Sequence, residues 1–367
     1  MNSIYVFHLG REKNLSLAEI KAFFQKEPTQ YGEIALLPIK LDDPQAALNH
    51  LGGTLKISRV IETSIPKTIL TAKPEGKIKF GLNVLPESRN FLRQELKKIK
   101  AELKHSGRNS RFINKESNLT TAMISKGGLM KDLTDFNLIK LPEGQLTSQT
   151  VAVQDFVSYS LRDYEKPVRL AREGMLPPKL SQIMINLSGV QSGTLYDPFC
   201  GSGTVLGEAL IKGYDVIGSD LDPKAIDASE KNSIWIKQKF NASGEINLFE
   251  KDAQELTAKD FPKKPDLVVA ETFLGPPCHL KMTFGQIKQI QEKLMPLYEK
   301  TFQNLHPLLA NGTPLVIAFP LHHVNRSPHP LELEKMLTNL GYEVKKSFTY
   351  HRQKQVVGRH IMVYHKS

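Results

Sequence analysis

Leu195-Tyr196-Asp197-Pro198-Phe199-Cys200-Gly201-Ser202-Gly203-Thr204, followed by the helix-forming run Val205 to Ile211, decides the fold. An apolar strand ends in an acid, two glycines let the backbone pass close to a ligand, and a helix N-terminus follows. That succession belongs to a doubly wound parallel sheet, in which ligands bind beyond the strand C-termini.

Two ligands suit such a turn, a dinucleotide phosphate or S-adenosylmethionine, and Asp197 separates them. A pyrophosphate is disfavoured beside a carboxylate, whereas a sulfonium and an ammonium are favoured there. Further acids fall at the next strand ends. Asp220 closes Val216-Ile217-Gly218-Ser219-Asp220-Leu221-Asp222-Pro223, nineteen positions past Gly201, where a carboxylate accepts from both ribose hydroxyls. Asp222 reads as a helix cap. The third strand ends in Phe249-Glu250-Lys251-Asp252-Ala253, and Asp252 is placed to accept from an adenine amino group. Three acids at three successive strand tips point to S-adenosylmethionine as cofactor. Its contacts are expected from Asp197, Pro198, Phe199, Cys200, Gly201, Gly203, Thr204, Asp220, Leu221, Asp252 and Ala253.

Working outward, Thr194 to Tyr196, Asp215 to Asp220, Glu245 to Phe249, Leu267 to Ala270 and Thr313 to Phe319 read as strands alternating with helical stretches, the pattern of a parallel α/β sheet. Tyr342 to Tyr350 and Gly358 to His365 read as consecutive strands forming an antiparallel edge. Upstream, Ile4 to Gly10 is strand-like, and a helical pattern begins at Leu15, with Ser16 and Glu19 at capping-box spacing. Strands at Glu33 to Lys40 and Leu55 to Ile65 flank a helical Pro44 to Leu51. These predict a small α+β unit over residues 1–70. A second unit over 71–153 opens with a strand at Ile78 to Val84 and a basic helix near Ser88 to His105. The charge-dense stretch 154–174 reads as a linker, and 175–367 as the catalytic sheet.

The chain has 367 residues, 40% hydrophobic and 24% charged, with a formal net charge of +11. The balance is that of a packed globular chain with a preference for a polyanionic partner. Two cysteines, Cys200 and Cys278, argue against a disulfide framework and a Cys-rich metal site, so no metal is expected and a reducing cytoplasm fits. His322-His323 read as lining a loop. No signal peptide or membrane segment is expected, because charges interrupt the N-terminus and no apolar run approaches spanning length.

With these residues in view, the chain resembles the tRNA guanosine-10 N2-methyltransferases of archaea and eukaryotes over nearly its full length. Tyr5-Val6-Phe7-His8-Leu9-Gly10-Arg11 with Leu15 to Ile20 resembles that family's ferredoxin-like N-terminal domain. Residues 71–153, including Arg111-Phe112-Ile113-Asn114-Lys115, resemble its RNA-binding THUMP domain. Gly174-Met175-Leu176-Pro177-Pro178-Lys179-Leu180 is similar to the segment that helps close the cofactor pocket, which adds Pro178 to the cofactor set. The resemblance implies a Rossmann-fold class I methyltransferase domain behind two α+β modules, and tRNA as substrate. Phosphate contacts are expected from Lys97, Lys104, Arg108, Arg111 and Lys115. Arg352, Lys354 and Arg359, around the terminal hairpin, are a further basic group able to touch RNA or to guard an edge strand.

In that family an Asp-Pro-Pro-Tyr sequence after the fourth strand holds the target amine and stacks on the flipped base. Here Asp266-Leu267-Val268-Val269-Ala270 runs into Glu271-Thr272-Phe273-Leu274-Gly275-Pro276-Pro277-Cys278. Strand register puts Glu271 in the acid slot, one methylene longer than aspartate, and moves the aromatic to Phe273. Glu271, Thr272 and Phe273 are therefore the expected catalytic loop. A register on Gly275 would place glycine where an acceptor is needed. Three functions stay open: N2-methylation of tRNA guanosine, a non-catalytic RNA-binding homologue needing a small activating subunit, and amine methylation of ribosomal RNA or DNA.

Overall fold

The computed structural model describes residues 3–114, 116–170, 176–278, 282–325, 327–352 and 356–367. They form two compact units, Met1–Lys21 with Lys26–Tyr159, and Ala22–Gln25 with Ser160–Ser367. Among the described residues no helix is long and apolar enough to cross a membrane.

The first unit runs β1 (Ser3–Leu9), α1 (Lys13–Phe24), β2 (Thr29–Tyr31), β3 (Ile34–Ile39), α2 (Pro44–Asn49), β4 (Thr54–Val60), α3 (Ile65–Ala72), β5 (Ile78–Leu85), α4 (Arg89–His105), β6 (Ser110–Phe112), α5 (Thr121–Lys126), β7 (Asp135–Leu141) and β8 (Gly144–Val153). Its strands share one sheet in the order β2-β3-β1-β4-β8-β7-β5-β6. The two modules expected over 1–70 and 71–153 are thus joined edge to edge, β4 pairing antiparallel with β8. In α4, Leu92, Leu96, Ile99 and Leu103 are buried, the i, i+4, i+7 stripe that seats a helix on a sheet.

The helix at Leu15 has a different start from the one its spacing suggests. It begins at Lys13, so Ser16 and Glu19 lie inside it, both buried. Ser16 Oγ donates to Glu12 O at 3.0 Å, while the Glu19 carboxylate accepts from Gly52 N and Gly53 N at 2.8 Å each. The expected capping box is instead a tertiary clamp: a buried carboxylate must find donors, and two loop amides supply them.

The second unit continues with α6 (Phe156–Tyr164), α7 (Pro178–Leu187), β9 (Thr194–Asp197), α8 (Thr204–Ile211), β10 (Asp215–Asp220), α9 (Pro223–Phe240), β11 (Ile246–Glu250), β12 (Leu267–Glu271), α10 (Phe284–Leu305), β13 (Pro314–Val324), β14 (Ser327–His329), α11 (Glu334–Asn339), β15 (Tyr342–Tyr350) and β16 (Val357–Lys366). The sheet order is β11-β10-β9-β12-β13-β16-β15. The first five are parallel, and β16 is antiparallel to both β13 and β15. The antiparallel edge is present, with β16 inserted one place inside it. On one face Tyr298 and Phe302 of α10 meet Phe319 at ring distances of 5.3 and 5.9 Å, the aromatic centre of the core.

Two expectations are revised here. The stretch 154–174 contains α6, and Arg162 makes a buried ion pair with Glu208 of α8 at 3.0 Å, so much of the presumed linker is built into the fold. Gly174 and Met175 of the pocket-closing segment lie outside the described residues. His322 and His323 belong to β13 and not to a loop, because the strand carries on past Pro320 to pair with β14 and β16.

Candidate active site

From β9 the chain steps to β10 and β11 on one side, then returns to lay β12 on the other. The crevice at such a reversal is where open α/β sheets bind ligands. Asp197 and Glu271 end the two strands that flank it, and Asp220 ends β10.

Backbone geometry builds the glycine turn. Cys200 N donates to Ser219 O at 3.0 Å and Gly203 N to Cys200 O at 2.8 Å, while Gly201 N donates to the Asp220 carboxylate at 2.9 Å. Gly203 has φ +77°, and a Cβ there would lie 2.5 Å from Ser229 Oγ, so a side chain is excluded. Two residues to which the sequence reading gave no part in the site brace this turn. Lys166 Nζ donates to Ser202 Oγ at 3.2 Å and Thr204 Oγ1 at 3.0 Å, and Asn232 Nδ2 donates to Ser202 O at 2.9 Å. Burial draws the Lys166 ammonium down to about 8. Lys166 was hidden in the presumed linker; nothing in its spacing connects it to a turn beginning thirty-odd residues later.

Asp197 is 2% exposed and accepts from Phe199 N at 3.0 Å. Burial, with the nearby charges of Asp220 and Glu271, holds its carboxyl well above the usual range, opposed only by the Phe199 amide. No described cation pairs with it. Asp220 is also raised, burial leading, against amides from Asp222, Gly201 and Leu221. The site therefore gathers carboxyl groups at the strand tips, and burial holds those of Asp197 and Asp220 above their usual range. Leu221 beside it is 67% exposed.

The remaining cofactor expectations divide. Pro178 opens α7 and is buried, Pro198 and Cys200 are buried, and Phe199 is half-buried. Asp222 is a cap, accepting from Lys224 N at 2.9 Å. Asp252 also caps a turn, accepting from Gln254 N at 2.8 Å. The Ala253 methyl is withdrawn into the apolar core, which removes its side chain from the expected contact set.

At β12, Glu271 Oε1 accepts from Arg359 Nε at 2.6 Å, with the two side chains 17% and 3% exposed. Arg359 was expected on an open hairpin; β16 buries it instead, because that strand is internal to the sheet. Thr272 turns away: its N and Oγ1 donate to Ala318 O at 3.0 and 3.3 Å, so it frames the loop and its hydroxyl is not offered to a substrate. Phe273 is 51% exposed, and its carbonyl accepts from Tyr298 OH at 2.6 Å, an anchor that leaves the ring outward.

In the first unit, Lys97 and Lys104 are exposed on the outer face of α4, and Arg111 is exposed on β6. Arg108 is spent on structure: its guanidinium donates to Pro74 O and, at 2.9 Å, to Gly76 O. Lys115 lies outside the described residues, as do Arg326 and Lys354.

Comparison with known proteins fits this geometry. Residues 168–327 match the RMKL-like methyltransferase domain. A tRNA (guanine(10)-N2)-dimethyltransferase of Methanothermobacter thermautotrophicus is 30% identical over 165 residues, 45% of this chain and 42% of that protein. One of Methanocaldococcus jannaschii is 43% identical over 63 residues, 17% of this chain and 16% of that protein. The chain thus spans less than half the length of the curated relatives it matches, and both carry the name of the family the sequence resembles. Among solved structures, a possible methylase from Clostridium difficile aligns over 100% of this chain and 99% of its own, at 12% identity and TM-score 0.49. A predicted N6-adenine-specific DNA methylase from Listeria monocytogenes aligns over 98% and 95%, at 14% identity and TM-score 0.45. Residues 168–327, the stretch similar to the RMKL-like methyltransferase domain, hold the five parallel strands of the second unit's sheet.

Proposed function

We propose that the chain is an S-adenosylmethionine-dependent methyltransferase acting on the exocyclic N2 amine of a guanosine in tRNA. The observation that carries this reading is the buried Asp197 carboxylate, crowded by Asp220 and Glu271 and paired with no cation among the described residues. A buried charge of this kind calls for an opposite one, and the cofactor's ammonium and sulfonium provide it where a phosphate would not.

The residues fit that group. Asp197 would hold the cationic end, Asp220 the ribose hydroxyls, and Leu221 and Asp252 the adenine. Gly203 keeps the turn free of side chains. Bound there, S-adenosylmethionine supplies an electrophilic methyl group on a sulfonium sulfur. The lone pair of an exocyclic amine is delocalised into its ring, so the protein must orient it. Glu271 accepts one amine hydrogen, a backbone carbonyl of the same loop the other, and the Phe273 ring stacks on a base drawn out of its helix. Lys97, Lys104 and Arg111 supply phosphate contacts from the 71–153 stretch, read as THUMP-like, with the stretch 1–70 read as its ferredoxin-like companion. The curated relatives' names and the net charge of +11 support tRNA as the polyanion.

Nucleoside mass spectrometry after incubating the purified protein with S-adenosylmethionine and unmodified tRNA tests this. New N2-methylguanosine or N2,N2-dimethylguanosine is expected. Methylation confined to ribosomal RNA or DNA would replace the substrate. Tight tRNA binding with no methyl transfer would make the chain a binding homologue that needs a partner subunit.

A further inference from the structure

We infer that Arg359 is the positioning residue of the catalytic loop, holding the Glu271 carboxylate as the acceptor for the incoming amine; this rests on the methyltransferase reading above. Glu271 pairs in register with Ala318 of β13, and Arg359 of β16 pairs with Pro320 of the same strand. β13 lies between them, so the two backbones are two strand spacings apart, roughly 9–10 Å. Side chains of paired residues share a face, and Ala318 and Pro320, two apart on β13, lie on the same one. Across that face, on the diagonal from Ala318 to Pro320, the glutamate and the arginine meet, Nε to Oε1, at 2.6 Å.

The extra methylene of Glu271 acquires a purpose in this geometry. An aspartate at the same strand tip would fall short of the guanidinium by about one carbon–carbon bond. The longer acid and the arginine on β16 act together, one reaching across the strand and the other fixing where the reach ends. Arg359 is itself held, its Nη1 donating to Val357 O at 3.0 Å. An arginine fork fixes direction as well as distance, so the acceptor plane is set before the substrate arrives, while Phe273, two residues on, presents its ring from the same loop.

A purely structural brace is the poorer account. β13 is already hydrogen-bonded in continuous register to both β12 and β16, so the sheet needs no cross-tie. Burying two charges gains little net stability even when they are paired. The pair stands at the mouth of the crevice, where its value is orientation.

Turnover of tRNA, S-adenosylmethionine affinity by calorimetry and melting temperature are measured for wild type, Arg359→Ala, Arg359→Lys and the exchanged pair Glu271→Arg/Arg359→Glu. Misplacing a reacting partner by about an ångström costs roughly a hundredfold in rate, so Arg359→Ala is expected to lose about that much kcat with KM for tRNA and cofactor affinity nearly unchanged. Arg359→Lys recovers part of the loss. The exchanged pair recovers melting temperature but not turnover, since its carboxylate stands on the wrong strand. Full kcat in Arg359→Ala, or turnover recovered in the exchanged pair, reduces Arg359 to a brace and overturns the inference while the methyltransferase reading stands. Should Arg359→Ala not fold, Arg359→Lys decides alone: unchanged kcat overturns the inference, and reduced kcat at unchanged KM supports it. A wild type that methylates no tRNA removes both readings together.

Discussion

Each unit buries a carboxylate at the heart of a sheet, and the two are treated in opposite ways. In the first unit Asp135, fully buried, accepts from Asn83 Nδ2 at 3.0 Å, from Thr150 Oγ1 at 2.5 Å and from Lys56 Nζ at 3.3 Å. Lys56 also donates to Asn137 Oδ1 at 2.6 Å. The network is closed, tying β4, β5, β7 and β8 with every charge answered from within. In the second unit Asp197 has one backbone amide and two acidic neighbours. A buried charge answered by the protein is architecture; one left unanswered at a strand tip is a place prepared for something else.

Breaking the closed network should have the largest effect. Removing one member of a buried pair strands the other, at about 3–5 kcal/mol. Lys56→Met is therefore expected to lower the melting temperature of the first unit sharply, with the change in near-ultraviolet circular dichroism confined to that unit's transition. A melting point within a degree or two of wild type would mean that Asp135 is satisfied without its lysine, and the contrast would lose its first half.

The acid facing the substrate comes next. Glu271→Ala leaves Asp197 and Asp220 in place, so cofactor affinity should persist while kcat falls by a factor of about 10²–10³, as for loss of one oriented hydrogen-bonding partner in a transition state. Rapid-quench assays separate the two terms. Turnover at the wild-type rate would take Glu271 out of the reaction.

Asp197→Asn sharpens the comparison because it should move two quantities in opposite senses. The folded carboxyl titrates above its unfolded value, so the folded state holds the proton longer and stability falls as pH rises through that interval. Asparagine removes the penalty. The free protein is expected to gain on the order of 1 kcal/mol at neutral pH, as relief of a strained functional charge often brings, while cofactor affinity drops by at least about tenfold, or 1.4 kcal/mol. Asp220→Ala should weaken binding in the same way. Calorimetric titration giving undiminished affinity in both variants would discredit the pocket.

How far the sequence revealed this contrast follows from the range of the interactions. Strand-tip acids and the glycine turn are local patterns, and Asp197, Asp220 and Glu271 stand where the alternation of strands and helices put them. Arg359 lies 88 positions from Glu271, and its role depends on β16 inserting between β13 and β15, a register no local window contains. The Ser16 and Glu19 spacing misled for the converse reason: the local signature is present, but Glu19 has a better use in the amides of Gly52 and Gly53. Lys166 and Arg162 read as solvated linker charges because nothing nearby announces Ser202, Thr204 or Glu208. Arg108 looked like a phosphate ligand until the carbonyls of Pro74 and Gly76 claimed its guanidinium.

The smallest effect comes from a polar group that neither architecture nor ligand answers. His322 is fully buried in β13, and neither ring nitrogen has a hydrogen-bond partner among the described residues. Burial, with His323 beside it, lowers its ring from the ordinary 6.5 to about 4. The folded value lies below the unfolded one, so the unfolded chain takes up the proton first and stability drains away as pH falls from 6.5 to about 4. His322→Phe is expected to gain about 1 kcal/mol at pH 7, the lower end of the penalty for an unsatisfied buried group, and to flatten that acid limb. Paired thermal melts of wild type and variant across the interval read both changes. An unaltered limb would mean that His322 finds a proton acceptor in the folded state, and would align it with the answered charges of the first unit instead.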